Sequence, residues 1–110
     1  MNVSTTARYC SPSPVVRQRA IEQTQRLLRY NRSIRGIELI FDRQRALRSV
    51  EAIVHLTRAA PVVMRSEATT FSAAVESLMD GLARRLKRER GRRRSRRAAA
   101  ADPSQPSASA

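Results

Sequence analysis

The chain has 110 residues, 41% of them hydrophobic, enough for one small domain with a modest core and too few for two. Twenty-two basic residues against nine acidic ones give a formal charge of +13, far beyond what solubility needs, so an anionic partner is expected. The single cysteine, Cys10, excludes an internal disulfide and a cysteine-based zinc site, and no window approaches the roughly 18 apolar residues of a membrane span, which makes a soluble cytoplasmic protein the default reading.

All the basic residues are arginine except Lys87, and arginine's planar fork suits bidentate contact with phosphate, although a GC-rich genome also raises arginine content. The first acidic residue is Glu22, so MNVSTTARYCSPSPVVRQRA has the composition of an organellar transit peptide, yet the same residues read well as structure. Val3, Thr5, Ala7 and Tyr9 alternate with Asn2, Ser4, Thr6 and Arg8, the two-residue period of a strand, which SPSP then breaks. Ser13 before Pro14 is a helix start, with a hydroxyl at the N-cap and proline where its missing N–H costs nothing. Val16, Ala20, Ile21, Thr24, Leu27 and Leu28 then recur at three- and four-residue spacing, predicting a first helix from residue 14 to about 31. In RGIELIFDRQ and RSVEAIVHLTR, alternating aliphatic positions predict two strands. Pro61 is read as the next turn, and VVMRSEA as a third, edge strand whose pattern Arg65, Ser66 and Glu67 dilute.

The closing helix carries the stripe Val75, Leu78, Met79, Leu82 and Leu86, with Thr69 or Thr70 as its cap. The stripe ends at Leu86, and of positions 84–97 ten of fourteen are basic. Like charges one turn apart weaken an isolated helix, so this end is expected to fray until an anion binds. The last residues, AAAADPSQPSASA, have no periodicity and are expected to be disordered. The predicted order is therefore β-α-β-β-β-α, an α+β fold in which a parallel crossover precedes an antiparallel meander and both helices pack on one face of a four-stranded sheet.

No catalytic constellation stands out. His55 has no partners with metal-ligand spacing, Cys10 has no histidine nearby, and Glu51, Glu67, Glu76 and Asp80 show no paired-carboxylate spacing. Ser13 is a cap before it is a nucleophile, and Tyr30 is read as packing rather than as a base-stacking platform. No enzyme, cofactor, metal or small-molecule substrate is expected, and an enzyme such as a nuclease stands as the outlying reading.

The order of elements, with RLLRYNRSIRGIELIF, SVEAIVHL and SAAVESLMDGLARRLKR, resembles the ribosome hibernation-promoting factors and ribosome-associated translation inhibitors of bacteria in their short form. Leu27, Tyr30, Ile34, Ile37 and Leu39 are similar to that family's leucine, aromatic and aliphatic positions, and the likeness covers about residues 1–92. In two places the chain departs from the pattern. Thr70 and Ser72 stand where the family has an acidic residue and an aromatic, and Gly81 stands where it often has lysine. The resemblance implies a cytoplasmic, ribosome-associated protein that sits on the small subunit and its rRNA, in the channel where messenger and transfer RNA meet, and silences idle ribosomes in stationary phase or stress. It implies a ribosome-binding domain over residues 1–92 and a basic, then Ala/Pro/Ser-rich tail over 93–110. The separate dimerisation domain of long members is not present, so pairing of ribosomes would need a helper. Arginines on two neighbouring helices read shape rather than bases, and the residues chosen for rRNA are Arg17, Arg26, Arg29, Arg84, Arg85, Lys87, Arg88 and Arg92. The alternative is a constitutive RNA-binding ribosomal protein or RNA chaperone.

Overall fold

A computed structural model describes the backbone of residues 2–101 and the side chains of residues 2–90. The elements are β1 (Asn2–Arg8), α1 (Pro14–Arg26), a 3₁₀ turn (Leu27–Arg29), β2 (Ile34–Gln44), β3 (Leu47–Leu56), β4 (Ala59–Ala68) and α2 (Phe71–Ala101). The expected β-α-β-β-β-α order is thus the observed one. The sheet order is β1-β2-β3-β4, with β1 parallel to β2 and the other pairs antiparallel, as the crossover and meander require.

One face of the sheet is covered by both helices. Ile37, Leu39 and Phe41 of β2, Val50, Ala52 and Val54 of β3 and Val62 of β4 are buried there against Ala20, Leu27, Val75, Leu78, Leu82 and Leu86. The two-residue alternation of the strands and the three-to-four-residue stripe of α2 are what place these side chains together. Both helix starts are capped as their sequences predict. Val16 N–H donates to Ser13 Oγ at 3.2 Å, with Pro14 at the first turn, and Ala73 N–H donates to Thr70 Oγ1 at 3.1 Å. At Gly36 a side chain would be crowded by the close approach of β1, because a Cβ would lie 3.2 Å from the Asn2 carbonyl oxygen and the strand would have to give by a few tenths of an ångström.

Four expectations need correction. The first α-helix ends at Arg26, and Leu27–Arg29 tightens into a 3₁₀ turn that lets the chain swing into β2. Tyr9 does not continue β1: it has φ 56° and is 89% exposed. Pro61 lies inside β4, where an outer edge strand needs no N–H at that position, and the turn is made instead by Thr57 and Arg58, the latter at φ 60°. Finally, α2 continues to Ala101, so residues 93–101 of the expected tail have helical backbone. The rest of that tail, 102–110, lies outside the described residues.

Candidate nucleic-acid interface

The two helices lie side by side and run in the same direction. At their starts Val16, Arg19 and Gln23 share a small cleft with Ser72, Val75 and Glu76. Beyond the end of α1, Asn31 Nδ2 donates to the Leu86 carbonyl midway along α2 at 3.3 Å, and the Lys87 ammonium stands 4.5 Å from the Tyr30 ring centroid. The helices therefore run parallel, and the C-terminal end of α1 meets the middle of α2 to form one pole of the packed domain, beyond which α2 continues to Ala101. The negative end of the α1 dipole lies at this pole and favours cations there.

Most of the chosen basic residues gather at that pole. Arg26 and Arg29 are exposed at the end of α1 and its 3₁₀ turn, and Arg84, Lys87 and Arg88 are exposed along α2. Arg85 is half-buried, its Nε donating to Glu89 Oε1 at 3.2 Å one turn on. The Lys87 contact with Tyr30 ties a cation of α2 to the aromatic that closes α1, so the two basic rows are held in fixed relation. Arg17 is not part of the cluster. It lies roughly 18 Å before Arg29 along the helix axis, half-buried, with its Nε shut from solvent and without a hydrogen-bond partner. The Arg92 side chain lies outside the described residues.

Two contacts were missed in the sequence. Asn31, read only as a helix end, is a buried amide joining the chain after α1 to α2; its Oδ1 also accepts from Ser33 N–H at 2.9 Å. His55 has a partner after all: its Nε2 lies 2.6 Å from Glu38 Oε2, across the β2–β3 pair. A register drawn from the hairpin turn would have found that pair, whereas nothing local in YNRS reports that Asn31 reaches residue 86. Among the described residues no group of three or more His, Cys, Asp or Glu is placed to hold a metal ion. No helix there is long and apolar enough to cross a membrane.

The family model of the sigma 54 modulation protein / S30EA ribosomal protein matches residues 3–94. The chain belongs to that family. Two solved structures share the S30EA fold seen here. A ribosomal subunit interface protein from Coxiella burnetii superposes with a TM-score of 0.77 at 22% identity, covering 83% of this chain and 99% of its own. The N-terminal domain of Thermus thermophilus Protein Y gives 0.72 at 21% identity, over 80% and 98%. No curated protein matches the chain.

The S30EA-like residues that marked the sequence turn out to hold the fold. Leu27, Ile34, Ile37 and Leu39 are core, and Tyr30 packs against it. The departures find places too. Phe71 turns inward, edge-on to Phe41 with ring centroids 5.6 Å apart, while Ser72 is exposed at the helix cleft. Gly81 faces β4: a Cβ there would come within 2.7 Å of Met64 Sδ, so a lysine at this position would first have to displace the methionine.

Proposed function

We propose that this S30EA-family protein is a ribosome hibernation factor, which binds the small subunit where messenger and transfer RNA meet and silences idle ribosomes by occupying that channel. The observation that carries the reading is the placing of Arg26, Arg29, Arg84, Arg85, Lys87 and Arg88 where the end of α1 meets the middle of the parallel α2, on a small, well-packed sheet. Such a pole offers dense positive charge in a fixed frame, which suits the phosphate of folded RNA and has no device for reading bases. Arg17 and Arg92 belong to the same proposal as flanking contacts. Residues 1–92 form the ribosome-binding domain. Action is in the cytoplasm, with a helper factor as a further partner in any pairing of ribosomes.

The test is binding to purified small subunits in competition with initiator transfer RNA. Displacement in both directions is the expected result. A footprint confined to the large subunit, or simultaneous binding with initiator transfer RNA, overturns the proposal. Sedimentation of ribosomes from growing and starved cells separates it from a constitutive ribosomal protein, which would be present equally in both.

A further inference from the structure

The face of the sheet turned away from the helices is chemically unlike the rest of the molecule. It carries four carboxylates, Glu38, Asp42, Glu51 and Glu67, which alternate with core positions along β2, β3 and β4. Against them stand Arg8, Arg65 and, at the bulge between Ile34 and Gly36, Arg35. Three guanidinium groups and four carboxylates leave this face at −1 in a chain of +13, so everything else carries +14. Near its centre, Ile53 pairs directly with Val63 across β3 and β4, and Ile40 lies diagonal to Ile53 on β2. Val63 is 56% exposed.

A solvated face of a sheet normally takes polar residues between its carboxylates. Three branched aliphatic side chains, two of them paired across strands with Glu38 and Glu51, are instead what a docking site for a basic, partly apolar polypeptide presents. Internal ion pairing does not use up the acidic groups. Arg65 Nη2 lies 3.0 Å from Glu67 and His55 takes Glu38, whereas Glu51, opposite Arg65, makes no hydrogen bond or ion pair among the described residues, and Asp42, opposite Arg8, accepts among them from the backbone of Arg43. RNA is the less suited partner here, because its phosphates would meet a face on which carboxylates outnumber guanidinium groups four to three.

We infer that the open sheet face docks a lysine- and arginine-rich protein segment bearing an aliphatic residue, presented by the ribosome while the helix pole holds rRNA; this rests on the ribosome-binding reading above. The sign of a charge reversal tests it. The double variant Glu51→Lys/Glu67→Lys adds four units of positive charge, so an RNA partner, or unspecific attraction to the ribosome, would tighten binding. A basic protein partner requires the opposite, a Kd on purified, salt-washed small subunits weakened about tenfold. The neutral pair Glu51→Gln/Glu67→Gln should weaken binding in the same direction by less, which keeps the test intact if the reversed variant melts. A photo-reactive residue in place of Val63 should cross-link to protein. Unchanged or tighter binding of the variants, or a cross-link from position 63 to RNA, overturns the inference while leaving the function standing. Failure of the wild-type chain to bind small subunits at all removes both.

Discussion

Asn31 shows how one buried amide can decide where charge is delivered. It is 3% exposed, its oxygen holding Ser33 N–H and its nitrogen holding the Leu86 carbonyl, at the last core residue of α2. Replacing it with alanine leaves Ser33 N–H without that acceptor and removes the bond to α2, at a cost of about 1–3 kcal/mol. Asn31→Asp has the same shape and keeps the acceptor, but it sets a carboxylate against a carbonyl in a buried site. Both variants should therefore lower the melting temperature, the aspartate at least as much as the alanine, as thermal denaturation by circular dichroism would measure. An aspartate variant as stable as wild type would mean the Leu86 contact is dispensable.

At the scale of elements, the strands and the core stripe of α2 were legible because burial imposes their periods on the sequence. Val50, Ala52 and Val54 can be assigned a face without any structure, and so can Leu78, Leu82 and Leu86. The turns were not legible. Arg45 and Arg58 adopt φ 55° and 60°, a conformation that glycine or asparagine usually announces, and here the two-residue links of the hairpins impose it on arginine. The end of α1 was hidden for a related reason, since Leu27 and Leu28 keep the apolar spacing while the backbone tightens beneath them. The positive pole was half legible. Its residue types stood out, but only the parallel run of the helices brings Arg26 and Arg29 to the stretch of α2 that bears Arg84 and Arg88. Replacing Arg84, Arg85 and Arg88 with glutamine should flatten the dependence of log K on log salt by up to about 3 units, since each phosphate neutralised contributes roughly 0.9. Stability should change little, because Arg84 and Arg88 are exposed and the Arg85–Glu89 pair is worth only about 0.2–0.5 kcal/mol. Binding isotherms on small subunits across a salt series check the slope; an unchanged slope would make these arginines a solvated face.

At the scale of the whole molecule, charge is divided between a strongly basic helix side and a slightly acidic sheet side, so the protein has an electrostatic orientation before it makes any contact. Deleting residues 91–110 removes five arginines and one aspartate and lowers the formal charge from +13 to +9. The truncated chain should bind more weakly and with a shallower salt slope, yet protect the same rRNA nucleotides from chemical probes; a moved footprint would assign the positioning to the removed segment. The sheet order has a different consequence, one of timing. Strands β2, β3 and β4 follow one another through two-residue links, while β1 reaches β2 only across the whole of α1 and occupies an edge. Closing that long loop costs more entropy than closing the hairpins, and the edge position returns pairing on one side alone. The amides of Asn2–Arg8 should therefore exchange with deuterium faster than those of Leu47–Leu56, and the segment that leaves the ribosome first during synthesis should be the last to be locked in place.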